Sequence, residues 1–261
     1  MATQAAKQVS RNDGYGRSTR FYEVDGKRLP SVTSILSAVN KPALVPWAAK
    51  QEREMVYAAV QKMISDPGVT RINFMRSLDA AVGHEKAHSK LMSKAGDIGS
   101  ECHGLIEWNM RKELLQTVGP EPKISEKALW AFMAYEDWRK QANLSPLLVE
   151  QAVWSQRYGY AGTMDWYGEI DHEGQRLRVL GDWKTGKGIY AEALLQNAAY
   201  VHALVEMGHA DPGVAGCIVR LPKAVDDPAF EVRMIPADDQ KQLFKVFLSV
   251  VELWKWLDDQ K

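Results

Sequence analysis

The chain has 261 residues, enough for one large domain or two small ones. Its residues are 46% hydrophobic and 25% charged, a composition typical of a globular protein. Its 33 basic and 33 acidic residues balance, which argues against a protein that coats nucleic acid through bulk charge. An enzyme that binds a few phosphates locally is not excluded. No apolar run reaches the roughly 18 residues of a membrane span, so we expect no contact with a membrane.

The first half of the sequence is nearly all helical in pattern. Residues 1–20 are polar and small and lack the apolar stretch of a secretory signal, so we expect a flexible tail and a cytoplasmic protein. Asp25-Gly26 predicts a hairpin, and Ser31 is expected to cap a short helix that follows it. Further helices are predicted over residues 46–64, 73–92, 100–115 and 125–141.

The second half changes to strands. Alternating residues predict strands over 147–156, 163–170 and 176–183, joined as an antiparallel meander. A helix over 191–207, strands over 213–221 and 230–235, and a closing helix over 237–258 follow. This order predicts an α/β (α+β) fold in which a mixed central sheet is flanked by helices. We therefore expect a tail (1–20), a mostly helical region (21–145) and a core of sheet and helices (146–261), the last two forming one structural unit.

The chemistry centres on Asp182-Trp183-Lys184, at the end of the third strand of the meander. Residues i and i+2 of a strand point to the same face, so Asp182 and Lys184 stand side by side. A hairpin with the preceding strand would bring Asp165 to the same point. Two close carboxylates repel each other, and a divalent cation is the usual remedy; oxygen ligands favour Mg²⁺ or Mn²⁺ over Zn²⁺. A lysine beside such a cation can hold or deprotonate a water and stabilise charge on a phosphate, whereas an isolated Asp-x-Lys is usually a solvated strand face.

Other polar residues fall where they could reach this point. Gln196 and Tyr200 are at i and i+4 on the helix that follows Lys184, and hence share one helical face. His103 has the same spacing to Glu107 on an upstream helix, and Glu150 lies on the strand before Asp165. His103 and Glu150 also have simpler interpretations, as a structural histidine and as a solvated strand residue.

Taken in order, the motifs resemble the PD-(D/E)XK nuclease superfamily, and among its members the RecB-type exonuclease branch. The matching segments are Gly99-Ser100-Glu101-Cys102-His103, Gly162-Thr163-Met164-Asp165, Asp182-Trp183-Lys184-Thr185-Gly186 and Gln196-Asn197-Ala198-Ala199-Tyr200. The opening, residues 21–36, is similar to phage-type and mitochondrial genome-maintenance exonucleases of the same group. The resemblance spans roughly residues 20–222, and the ordered set is specific although each motif alone is weak.

The resemblance implies a restriction-endonuclease-like core that hydrolyses the phosphodiester bonds of DNA. Asp165 and Asp182 would bind Mg²⁺ or Mn²⁺ together with His103 and the carbonyl of Trp183. Lys184 would position the attacking water. The remaining residues have supporting roles: Gln196 and Tyr200 would support the site or contact DNA, and Glu150 would be an auxiliary acid. Exonuclease action on single-stranded DNA or DNA ends, in phage-type recombination, replication or repair, is what the resemblance favours.

The cysteines set this chain apart from some relatives. Members of this branch with an iron–sulfur cluster hold it with four cysteines, and Cys102 and Cys217 are the only two here, so no cluster is expected. They are expected to be reduced and buried. The chain also lacks a Walker A loop, so unwinding would come from a partner such as a helicase, with a recombinase or single-strand-binding protein as other candidate partners.

Two other functions remain open on the sequence. His84-Glu85-Lys86-Ala87-His88 matches the H-E-x-x-H motif of zinc metallopeptidases, but no third zinc ligand is evident and Lys86 interrupts the motif. A non-catalytic DNA-binding protein on a nuclease fold is the second, because single-stranded DNA binders stack bases on aromatic rings and the chain has nine tryptophans. Trp166 and Trp183 are instead expected to pack against helices, because each points to the strand face opposite its neighbouring aspartate.

Overall fold

The computed structural model describes residues 6–12, 18–39, 44–83, 86–223, 227 and 229–260. The chain divides into two compact units, one formed by Met1–Val39 with Glu101–Lys261 and the other by Asn40–Ser100. Segments on both sides of residue 145 belong to the first unit. No helix among the described residues is long and apolar enough to cross a membrane.

A small antiparallel sheet opens the first unit. It consists of β1 (Lys7–Asn12), β2 (Ser18–Val24) and β3 (Lys27–Pro30), in that order. The hairpin predicted at Asp25-Gly26 is confirmed. The flexible tail predicted over residues 1–20 is wrong for β1, which pairs with β2 through six residues. The strand was missed because its sequence, KQVSRN, is polar and carries little apolar alternation.

The second unit is helical. It holds α2 (Leu44–Ile64), α3 (Phe74–Val82) and the first half of α4 (Ala87–Glu113). The helix predicted over 73–92 is two helices, because α3 ends at Gly83, and α4 continues through the position at which a new helix was predicted to begin. The carboxylate of Glu52 on α2 accepts hydrogen bonds from the backbone N–H groups of Ala87 and His88, which caps the N-terminus of α4.

A five-stranded sheet forms the centre of the first unit. Its strands, in spatial order, are β4 (Ser145–Ser155), β5 (Tyr160–His172), β6 (Gln175–Lys184), β7 (Ala215–Arg220) and β8 (Glu231–Ile235). All neighbours are antiparallel except β6 and β7, which are parallel and joined by a helix. The predicted meander of β4, β5 and β6 and the mixed sheet are therefore confirmed.

Helices accompany both sheets, which makes the fold a mixed α/β fold as expected. The short α1 (Val32–Leu36) begins at Ser31, whose hydroxyl accepts from Ser34 N–H as predicted for an N-cap. The others are α5 (Glu126–Gln141), α6 (Ala191–Glu206) and α7 (Ala237–Asp259). One core cluster joins α1, α6, α7 and the inner strands; its fully buried members include Val32, Ile35, Tyr160, Leu180, Leu204 and Phe247.

Candidate metal centre and active site

Strands β5 and β6 bring Asp165 and Asp182 together, as the sequence suggested. Trp166 on β5 pairs with Gly181 on β6 in the antiparallel register, so the next residues, Asp165 and Asp182, lie opposite each other on the same side of this pair. The backbone N–H of Trp183 donates to Asp165 Oδ2 at 2.7 Å, which fixes the Asp165 carboxylate against the end of β6. The hairpin alone therefore accounts for the meeting of these residues.

Asp182 and Lys184 form a buried ion pair. Lys184 Nζ lies 2.6 Å from Asp182 Oδ2 and 2.8 Å from Oδ1, and Asp182 is only 2% exposed. Burial raises the pKa of the Asp182 carboxyl above its ordinary value, and Asp165 adds to this effect, while Lys184 opposes it. For Lys184, burial disfavours the ammonium, but Asp182 and Asp165 outweigh burial and raise the pKa of the amine. Lys184 is therefore a charged donor at neutral pH.

The first three turns of α6 complete this side of the site. Lys184 Nζ donates to Gln196 Oε1 at 3.3 Å, and Gln196 Nε2 in turn donates to the Tyr200 hydroxyl at 3.3 Å. Burial raises the pKa of the Tyr200 phenol well above its ordinary value, so Tyr200 stays neutral and acts only as a hydrogen-bonding group. The i, i+4 pair on α6 thus reaches the Asp-x-Lys motif through one chain of hydrogen bonds.

Three residues from three different elements form a group that could hold a metal ion. His103 comes from α4, Glu150 from β4 and Asp165 from β5, and one ligand atom from each lies within 4.8 Å of the other two. His103 Nδ1 is 3.8 Å from Asp165 Oδ2. All three side chains are partly accessible, so an ion could enter from solvent. Glu150, expected as an auxiliary acid, is a member of this group, whereas the Asp182 carboxylate faces Lys184.

Glu150 has an unusual backbone. Its neighbours Val149 and Gln151 pair with Trp166 and Met164, so Glu150 lies opposite Asp165, yet its φ of 47° is left-handed. A non-glycine residue in this region is strained, and such strain is concentrated at functional sites. Burial raises the pKa of the Glu150 carboxyl to about 8, with Asp165 and Glu107 adding to the effect.

The donor set fits a divalent cation. It offers one imidazole nitrogen and two carboxylates, all of which are groups that bind divalent metal ions. Burial is the largest cause of the raised pKa values of both Glu150 and Asp182, and the charge of Asp165 adds to both. A divalent cation would offset the repulsion between these carboxylates. Trp183 contributes its N–H to the site, and the role of its carbonyl as a ligand stays a prediction.

Behind the site, an aromatic cluster supports the ends of β5 and β6. The rings of Trp166 and Trp183 stack at 5.3 Å between centroids, and Trp183 meets Tyr135 and Trp138 of α5 edge to face. The prediction that Trp166 and Trp183 pack against helices is confirmed. These rings are buried and are not available to stack on bases.

Two charged residues beside the site were not identified from the sequence. Arg220 ends β7 directly opposite Lys184 in the parallel register and is 3% exposed; its guanidinium lies 3.0 Å from Asp227 and 3.4 Å from Glu231. Arg111 donates to Glu107 at 2.7 Å and lowers the pKa of Glu150. The sequence feature that could have identified Arg220 is its place at the end of an apolar strand, in Cys-Ile-Val-Arg.

The H-E-x-x-H segment lies partly outside the described residues, since His84 and Glu85 are among those that the structure does not describe. The ring of His88 is engaged, because its Nδ1 lies 2.7 Å from Glu52 Oε1. Both cysteines are free and buried, as expected, and burial raises the pKa of the Cys102 thiol to about 12.

Neither comparison by sequence identifies a relative. No protein-family model matches the chain, and no curated protein matches it significantly. The functional assignment therefore depends on the site itself.

Proposed function

We propose that this protein is a Mg²⁺- or Mn²⁺-dependent deoxyribonuclease that hydrolyses phosphodiester bonds. The observation that carries the proposal is the meeting of His103, Glu150 and Asp165, a metal-ligand group, with the buried Asp182–Lys184 pair. A carboxylate-rich cation site beside a charged lysine is the arrangement that phosphoryl transfer needs, because charge grows on the phosphate oxygens in the transition state.

The residues divide the chemistry between them. When bound, the cation would supply Lewis acidity toward a phosphate oxygen and acidify a nearby water. Lys184 is charged, so it donates a hydrogen bond to orient the attacking water and neutralises charge on the phosphate. The Glu150 carboxyl, expected as an auxiliary acid, would be deprotonated as a ligand of the cation and would help to hold it beside Asp165. Gln196 and Tyr200 hold the Lys184 ammonium in place.

The ordered motifs favour a finer assignment, to the RecB-type branch of the PD-(D/E)XK superfamily and to exonuclease action on single-stranded DNA or DNA ends. The order of elements supports it: a β-meander carries Asp165, Asp182 and Lys184, and a helix after Lys184 carries the Gln-x-x-x-Tyr element. A cytoplasmic role in phage-type recombination, replication or repair, with a recombinase, single-strand-binding protein or helicase as partner, is part of the same proposal.

The first experiment is digestion of end-labelled single- and double-stranded DNA with Mg²⁺, Mn²⁺, Zn²⁺ or EDTA. We compare the wild type with Lys184→Met and with Lys187→Met, a matched control that removes an exposed lysine three residues further on. The expected result is cleavage with Mg²⁺ or Mn²⁺ that is lost in EDTA and in Lys184→Met and is retained in Lys187→Met. Closed circular DNA that resists digestion would establish exonuclease action.

The two other functions are outcomes of the same experiment. DNA binding without cleavage under any metal would refute the proposal in favour of a non-catalytic DNA-binding protein. Zinc-dependent peptide hydrolysis that is lost in His88→Ala would favour the metallopeptidase instead, although the Glu52–His88 hydrogen bond occupies one ring nitrogen of that histidine.

A further inference from the structure

A buried chain of amide hydrogen bonds joins α7, α6 and β6 behind the site. Gln240 Nε2 on α7 donates to Asn197 Oδ1 on α6 at 2.8 Å, and Asn197 Nδ2 donates to the carbonyl oxygen of Leu180 on β6 at 3.0 Å. Asn197 is completely buried and Gln240 is 5% exposed. Hydrogen bonds inside a protein are directional and strong, so this chain fixes how α6 lies on the sheet.

Strand β7 is adapted to the two amides. A Cβ atom added at Gly216 would lie 2.2 Å from Asn197 Oδ1 and 2.5 Å from Gln240 Nε2, so any other residue at 216 would displace both side chains. Two buried amides also carry a desolvation cost that apolar side chains of similar size would avoid. The amide contact is costly, and Gly216 of β7 leaves room for it. This indicates that the contact fixes the position of α6 on the sheet and does not serve stability alone.

The other polar contacts of α6 with the sheet lie further along the helix from Gln196 than Asn197 does. The Tyr160 hydroxyl donates to the carbonyl oxygen of Ala199 at 2.9 Å, and the Ser155 hydroxyl donates to the Glu206 carboxylate. Apart from Asn197, the buried residues of α6 are four alanines and three larger side chains: Ala193, Ala198, Ala199 and Ala203, with Tyr200, Val201 and Leu204. Contacts between small apolar side chains are non-directional, so they tolerate a slide or rotation of the helix. Gln196 is the residue next to Asn197, and its contact with Lys184 is already long, at 3.3 Å. A small rotation of α6 would therefore break it.

We propose that Asn197 and Gln240 are positioning residues, which set the register of α6 on β6 and thereby hold Gln196 against the Lys184 ammonium. Neither touches the metal-ligand group, so their effect on chemistry is exerted through Gln196 and Lys184. The catalytic part of this inference rests on the proposed nuclease function, but the position of Lys184 can be measured without any activity.

The activity-independent test is the acylation rate of the Lys184 amine by a lysine-reactive ester, followed by mass spectrometry with the exposed Lys187 as internal reference. Asn197→Leu removes both hydrogen bonds, and Gln240→Leu removes one of them. We expect Lys184 in Asn197→Leu to react about five-fold faster, the factor equivalent to one hydrogen bond of ~1 kcal/mol. Leu204→Val, a core change on the same helix, should leave the rate unchanged. An unchanged acylation rate of Lys184 in folded Asn197→Leu would overturn the proposal. If Asn197→Leu does not fold, an unchanged rate in Gln240→Leu would overturn it instead.

The catalytic test is a double-mutant cycle on DNA cleavage. Asn197→Leu is expected to lower kcat about ten-fold with little change in KM, and to cause no further loss in a Gln196→Ala background. The full ten-fold loss in that background would contradict action through Gln196. A wild-type protein that cleaves no DNA would refute the nuclease function, while the acylation rates would still support or overturn the positioning role.

Discussion

Substitution of Glu150 by glutamine tests the electrostatics of the site in the absence of metal. The change removes the titrating carboxyl and keeps the size of the side chain. In the folded wild type, burial raises the pKa of Glu150 to about 8 from an ordinary value of 4.5. Between these two pH values the folded protein holds a proton that the unfolded chain has released. The stability of the wild type therefore falls as pH rises from about 4.5 to about 8, and Glu150→Gln lacks this loss.

The magnitude follows from the same two values. A pKa difference of about 3.5 corresponds to at most ~5 kcal/mol, at 1.36 kcal/mol for each unit of pKa. Glu150 is only half-buried, so solvent screening reduces the expected effect to about 2–3 kcal/mol. We expect the free energies of unfolding of wild type and Glu150→Gln to agree within ~1 kcal/mol near pH 5, and the variant to be more stable by about 2–3 kcal/mol at pH 9.

The assay is urea unfolding in EDTA at several pH values, with the difference between the two proteins plotted against pH. Groups that titrate in both proteins cancel in this difference. Glu121→Gln, the same change at an exposed position, is the matched control and should shift stability by less than ~0.5 kcal/mol with no trend. Parallel curves for wild type and Glu150→Gln would refute the argument. Added Mn²⁺ should stabilise the wild type more than Glu150→Gln. A bound ion stabilises the folded protein, and the variant lacks one of the side chains that would bind the ion.

Three further predictions follow from single contacts. Lys184→Met leaves the Asp182 carboxylate buried without its cation, and should destabilise the protein by roughly 3 kcal/mol near pH 8 in urea unfolding and lower cleavage at least ~100-fold. Gly181→Ala would place a Cβ 1.7 Å from the Trp166 ring, so we expect a loss of about 2–3 kcal/mol and an altered near-ultraviolet circular dichroism spectrum; an unchanged spectrum would contradict the packing. Ser125→Ala removes the hydroxyl that caps α5 and should cost about 1 kcal/mol in thermal unfolding, whereas Ser125→Thr, which keeps the hydroxyl, should cost less than half of that.

The sequence predicted the parts of the fold in which local pattern and long-range packing agree. Apolar residues recur along β4 and β5, β6 ends in a continuous buried run, and Glu173-Gly174 supplies the turn between β5 and β6. The hairpin that joins Asp165 to Asp182 therefore followed from strand-like sequence and a turn signal. The helix after Lys184 followed from apolar spacing in the same way. Half of the site was therefore accessible from local pattern alone.

The other half depends on contacts that periodicity does not contain. His103 reaches Asp165 from 62 residues upstream because α4 continues without interruption through the glycines that suggested a break. Nothing in the residue type of Glu150 predicts its left-handed backbone, which packing imposes against the local preference. Asn197 is buried although asparagine is usually exposed, and only its contacts with Leu180 and Gln240 account for this.

The two halves of the site differ in what holds them together. Asp182, Lys184, Gln196 and Tyr200 belong to one β6-α6-β7 unit, and every contact among them is a hydrogen bond or ion pair. His103, Glu150 and Asp165 come from three elements, and the contact between His103 Nδ1 and Asp165 Oδ2 is long, at 3.8 Å. A bound cation would hold this second half together, because it would coordinate His103, Glu150 and Asp165. Removal of metal should therefore loosen the His103–Glu150 side while the Lys184 side keeps its geometry, and amide hydrogen exchange with and without Mn²⁺ would detect protection gained around Glu150 but not in α6.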